Sequence, residues 1–95
     1  MNVNWTDAAL SDLRAIETYM ARRSAQYATS LIDRIFIHSG VLAVHPFLGA
    51  IVPEYEDETL RELFEDPYRI VYRVFDDQVD IVAVVHAARR LPRGL

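Results

Sequence analysis

The chain has no cysteine and no lysine. Absent cysteine excludes a disulfide framework and any thiolate chemistry, and it permits a reducing, cytoplasmic location. Glycine is scarce: only Gly40, Gly49 and Gly94 occur, and none lies in a phosphate-cradling loop. No apolar stretch approaches the roughly 18 residues that a membrane span needs, so no membrane contact is expected. The opening Met1-Asn2-Val3-Asn4-Trp5 lacks a basic segment followed by an apolar run, so no signal peptide is expected. No serine sits in a nucleophile-elbow pattern. His38, His45 and His86 lack metal-ligand spacing, and nothing calls for a metal or another cofactor.

What is present is ordinary in amount and unusual in arrangement. Ninety-five residues make one domain, spanning 1–95, with 52% hydrophobic and 25% charged residues. A chain this short buries roughly 60–65% of its unfolded surface, enough for one core and little enclosed cavity. The net charge is −4, and all ten basic side chains are arginine. Residues 1–53 balance four acids against four arginines, residues 54–80 hold ten acids and three arginines, and residues 81–95 hold three arginines and no acid. A protein that grips many phosphates is usually basic overall, so any nucleic-acid contact here is local.

The periodicities predict an α+β domain. Val3 and Trp5 alternate with polar neighbours, a short half-buried strand at 2–6. Thr6 can cap a helix over about 7–22, whose apolar stripe is Ala9, Leu10, Leu13, Ile16 and Met20. Ser24 can cap a second helix, apolar at Ala28, Leu31, Ile32, Ile35 and Leu42, which Pro46 stops near Val44. The short link makes the two an antiparallel hairpin. Ile37, Val41 and Val44 form a second apolar row on this helix, so it needs a second neighbour. Three strands follow: Thr59–Glu65, Tyr68–Phe75 and Val79–His86. The middle one alternates Tyr68, Ile70, Tyr72 and Val74 against Arg69, Val71, Arg73 and Phe75. Asp76-Asp77-Gln78 connects the last two as a hairpin. The nearly continuous apolar run of Val79–His86 predicts burial on both faces. The seven acids between Glu54 and Asp66 read mainly as a solvated face, and Ala87–Leu95 as a short exposed tail.

The run Leu60-Arg61-Glu62-Leu63-Phe64-Glu65-Asp66-Pro67-Tyr68-Arg69-Ile70-Val71-Tyr72-Arg73-Val74 resembles the signature of the RelE/ParE toxin superfamily. Val84-Val85-His86-Ala87-Ala88-Arg89 is similar to the closing strand of its ParE branch. Ala8, Asp12-Leu13, Ile16 and Tyr19 match the family's first helix, and Pro46-Phe47-Leu48-Gly49 its proline–glycine loop. The resemblance implies a strand, two helices and a three-stranded antiparallel meander in one sheet. It also implies a toxin of a type II toxin–antitoxin pair, neutralised by a cognate antitoxin whose C-terminal segment wraps it. ParE-like members poison DNA gyrase by binding; RelE-like members cut messenger RNA on the ribosome. A third reading is a fold that has lost toxicity and only pairs with its antitoxin.

Ribonucleolytic transesterification needs a proton acceptor, a proton donor and cations for the developing charge. For that reading the candidates are Arg61, Arg69, Arg89, His86 and Tyr72, with Glu62 as a further acid–base group. Arginine remains protonated, so it stabilises charge and does not shuttle protons. The late tyrosine of the RelE branch has no counterpart in this sequence. The gyrase reading needs only a docking surface, for which Arg69, Arg73, Arg89, Arg90 and Arg93 are the candidates. Arg69 and Arg73 lie about 13 Å apart on one strand face, from roughly 3.3 Å per residue. Alternatively, these two only pair across the sheet with Glu62, Glu65 or Asp80. Ile37, Val41 and Val44 are the expected antitoxin contacts.

Overall fold

The computed structural model describes residues 1–95. Strand β1 (Asn2–Trp5) leads into helix α1 (Asp7–Ala21), and helix α2 (Ala25–Gly40) follows. Both helices start at hydroxyl caps: Thr6 Oγ1 accepts from Ala9 N at 3.2 Å, and Ser24 Oγ accepts from Tyr27 N at 3.0 Å. The α-helical part of α2 stops at Gly40, and Val41–Ala43 form one 3-10 turn, so the helix ends short of the expected Val44. No helix is long and apolar enough to cross a membrane.

Strands β2 (Ala50–Ile51), β3 (Leu60–Glu65), β4 (Tyr68–Val74) and β5 (Gln78–His86) complete one sheet in the order β1-β5-β4-β3-β2. The meander β3-β4-β5 is antiparallel, whereas β1 runs parallel to β5. The sheet is therefore mixed and has a fifth strand that the sequence did not announce. Strand β2 is only two residues long, too short to show an alternation.

Tyr72 pairs with Ile81 and Val71 with Ala83, which leaves Val82 as an extra residue in β5. This bulge switches the phase of alternation. Val79, Ile81 and Val84 face one core, and Val82, Ala83 and Val85 pack with the other. The unbroken apolar run in β5 follows from that switch. Beyond the end of β1, the Val84 amide has no strand partner on its side; Asp12 Oδ2 on α1 accepts it at 2.9 Å.

The larger core lies between the helices and the sheet, where Leu13, Ile16, Leu31, Ile35 and Leu42 meet Ile70, Tyr72 and Ile81. The second face carries a smaller core of Val52, Leu60, Val71, Ala83 and Leu91. Residues 87–95 therefore are not the exposed tail that composition predicted. They fold back as a strap, and Leu91 is only 7% exposed. The reason is Val71 and Ala83 on the second face, which would otherwise lie in water.

Gly49 sits where the loop after α2 meets the sheet. Its amide donates to the buried Tyr72 hydroxyl at 2.8 Å. A Cβ there would lie 2.4 Å from Glu62 O and 2.7 Å from Tyr72 Oη. Main-chain oxygen cannot retreat without breaking the β2–β3 pairing beside it. Gly49→Ala is expected to cost about 1–3 kcal/mol, read from the midpoint of urea unfolding at unchanged slope.

Candidate functional site

The strap-covered face is organised by Arg69 of β4, itself 7% exposed. Its guanidinium meets Glu54 in a two-pronged pair, Nη2 to Oε1 at 2.7 Å and Nη1 to Oε2 at 2.9 Å. Nε donates to Glu62 Oε1 at 2.6 Å, and Nη1 also reaches Arg89 O at 3.1 Å. Glu54 Oε2 accepts from Leu91 N at 2.9 Å as well. One cation thus joins β4, β3, the loop after β2 and the strap. Four residues on, Arg73 donates to Asp57 Oδ2 at 2.7 Å and to Leu95 O at 2.8 Å. Tyr55 completes the set, its hydroxyl donating to Pro92 O and accepting from Leu95 N.

These contacts set the ionisation. The Arg69 hydrogen bond holds the Glu54 carboxyl at about 2, against a usual 4.5. Asp57 also falls to about 2, first through the Thr59 hydroxyl and then through Arg73. The hydrogen bonds that Arg69 donates to Glu54 push Arg69 further up, so it stays charged throughout. With two carboxylates to one guanidinium, the Arg69 cluster carries one net negative charge and does not itself attract an anion.

Free positive charge lies on the strap. Arg89, Arg90 and Arg93 are exposed, and none has a carboxylate within ion-pair distance. Beside Arg89 and Arg90 is an open cleft of about 690 Å³ floored by Glu54, Glu62, Arg69 and Phe64. No group of three or more His, Cys, Asp or Glu residues is close enough to hold a metal.

The opposite face takes the rest. Tyr72 is fully buried in the helix-side core, and burial pushes its hydroxyl up. Arg61 is its cross-strand partner and shares that face. The Arg61 guanidinium donates to Gly49 O at 3.0 Å and stacks 4.9 Å from the Phe47 ring. His86 pairs in register with Tyr68, also of the helix-side core. The two rings meet edge to face at 5.8 Å, and His86 Nδ1 accepts from Ala88 N at 3.1 Å.

A family model, "ParE toxin of type II toxin-antitoxin system, parDE", matches residues 3–91 of the sequence. The chain belongs to the ParE toxin family. A similar protein is Toxin RelE2 of Caulobacter vibrioides, 40% identical over 88 residues that span 92% of this chain and 96% of that one. A solved chain titled "Chromosomal ParDE TA system from P. aeruginosa" shares the fold, with TM-score 0.77, 24% identity, and coverage of 90% of this chain and 95% of that chain. Membership in a toxin–antitoxin family implies a cognate antitoxin as protein partner.

Within this ParE-family chain, the five nuclease candidates do not form one constellation. Arg69 lies on the strap face and Arg61, Tyr72 and His86 on the helix side of the sheet, while Arg89, at the edge between them, lines one cleft with Arg69 and another with His86. Tyr72 as an acid–base group is corrected outright, because no substrate reaches a fully buried hydroxyl already bound to Gly49. Arg69 and Arg73 are likewise corrected as free docking cations: they hold the molecule together through Glu54, Glu62 and Asp57. Glu62 is a true partner of Arg69, whereas Glu65 pairs with Arg34 of α2 and lies 3.3 Å from His38 Nδ1. Glu54, Tyr55 and Asp57 were not foreseen. Their signal was present only as an acidic cluster, which composition alone reads as solvated.

Ile37 and Val44 are 77% and 75% exposed, but Val41 packs against the helix-side core. The 3-10 turn breaks the row that a continuous helix would have formed.

Two outcomes follow from the ionic cluster. Arg69→Ala, which strands Glu54 and Glu62 together, is expected to destabilise the domain by about 3 kcal/mol in urea unfolding. That is the lower end for a buried pair, because both carboxylates keep some water contact. Glu54 is depressed in the folded state, so its contribution is full above the usual 4.5 and is lost as pH falls toward about 2. Thermal melts across that window should show a shallower acid decline for Glu54→Gln than for wild type.

Proposed function

We propose that this protein is a toxin that inhibits DNA gyrase by binding, in the cytoplasm, and is neutralised by its cognate antitoxin. The observation that carries the reading is the division of charge on the strap face. Arg89, Arg90 and Arg93 remain unpaired and exposed, while Arg69 and Arg73 are consumed internally. Such a surface can dock on a protein–DNA complex, since arginine suits both carboxylate and phosphate partners. The docking set is thereby Arg89, Arg90 and Arg93.

The ribosome-dependent nuclease is retained as a second reading because the Caulobacter relative is called Toxin RelE2. Purified protein added to gyrase, DNA and ATP should leave cleaved or unrelaxed DNA. Cut messages from translating ribosomes, with gyrase unaffected, would replace the first reading by the second. Activity in neither assay, with no growth defect on expression, would leave an antitoxin-binding relic.

For the antitoxin, we place the contact at Ile37 and Val44, the two residues of the apolar row that water reaches. Val41, half-buried against the core, borders it. Ile37→Asp combined with Val44→Asp should weaken antitoxin affinity by about tenfold or more with the melting temperature retained, by calorimetric titration. Unchanged affinity removes this surface from the interface.

A further inference from the structure

The strap has no regular secondary structure over residues 87–95, yet it is pinned at regular intervals. Every polar pin grips its main chain. Arg69 holds the Arg89 carbonyl and Glu54 holds the Leu91 amide. Tyr55 holds Pro92 O and Leu95 N, and Arg73 holds Leu95 O. The apolar anchor is Leu91, set in the second core. Arg90 therefore stands between two pinned neighbours, and Arg93 between the pinned Pro92 and Leu95. The three guanidiniums are left unused by the fold, and the main chain that carries them is held in place.

We propose that Glu54 and Arg69 are positioning residues for Arg89 and Arg90: the buried pair orders the strap so that these arginines meet the target preassembled. This rests on the strap arginines being the target surface, as argued above. The physical basis is entropic. A loose segment must be ordered at the moment of binding, and that cost comes off affinity; a segment ordered by its own fold is spared the main-chain part of it. Glu54 is the better probe of the two, because it bridges Arg69 to the Leu91 amide through one oxygen, Oε2.

The test compares the full-length wild type, Glu54→Gln and a control, Ser24→Ala. The control loses the cap of α2, the hydrogen bond from Tyr27 N, and so lowers stability without touching the strap. Three quantities are read: melting temperature, the rate of trypsin cleavage after Arg89 and Arg90 by mass spectrometry, and the concentration for half-maximal gyrase inhibition. Glu54→Gln should be cut about tenfold faster at those two bonds and need about tenfold more protein for equal inhibition. Ser24→Ala should change neither, at a comparable melting temperature. If Glu54→Gln does not fold, Tyr55→Phe, which frees Pro92 and Leu95, replaces it, with cleavage after Arg93 as the readout.

A variant that is cut faster yet inhibits like wild type overturns the proposal and leaves the target reading standing. So does unchanged cleavage, which means the pair does not order the strap. Equal loss of inhibition in Ser24→Ala overturns it as well, since stability alone would then account for the effect. A wild type that leaves gyrase untouched removes the target reading itself, and the positioning role with it.

Discussion

The guanidinium of Arg69 ties together segments that are distant in the chain: β4, Glu62 on β3, Glu54 in the loop after β2, and the strap at Arg89. Taking a guanidinium and two carboxylates out of water is costly, by several kcal/mol per ion before compensation. The geometry offsets that cost. Both Glu54 oxygens face the guanidinium fork, Nε has Glu62, and the Glu54 oxygen turned toward the strap also accepts the Leu91 amide. Without the cluster, the far half of the strap would be held by Leu91, Tyr55, Arg73 and the packing of Leu95. The second core, which has no helix over it, would lose much of its cover.

The two faces of the sheet are consequently specialised. The helix side is a conventional apolar core, closed by α1 and α2 and capped at Thr6 and Ser24. Polar groups that enter it are satisfied locally, as Tyr72 is by Gly49 and the Val84 amide by Asp12. The strap side is ionic. Its carboxylates neutralise the arginines that hold the structure and leave three strap arginines outward. A chain of net charge −4 can thus present a small cationic surface, because its acids and arginines are sorted by position.

Much of the architecture was legible in the sequence because it rests on local periodicity. The hydroxyl caps, the two helical stripes and the alternation of β4 each reflect a repeat set by backbone geometry. The family motif carried the order of the elements. What failed to show had no local signature. Strand β2 is two residues long, the β5 bulge hides inside a uniform apolar run, and α2 yields to a 3-10 turn within a sequence that still looks helical.

The sequence alone determined the helices, the meander, the absence of thiol chemistry and the arginine-rich closing segment. Tertiary structure decided which arginines are free. Glu54 lies fifteen residues before Arg69, and Leu91 lies thirty-seven beyond Glu54. Their meeting depends on the sheet register and on the strap folding back across Val71 and Ala83. A charge pair between such distant residues follows no repeat along the chain. It exists only once hydrophobic burial has brought the segments together, and that is why an apparent solvated face and an apparent loose tail proved to be the two halves of one site.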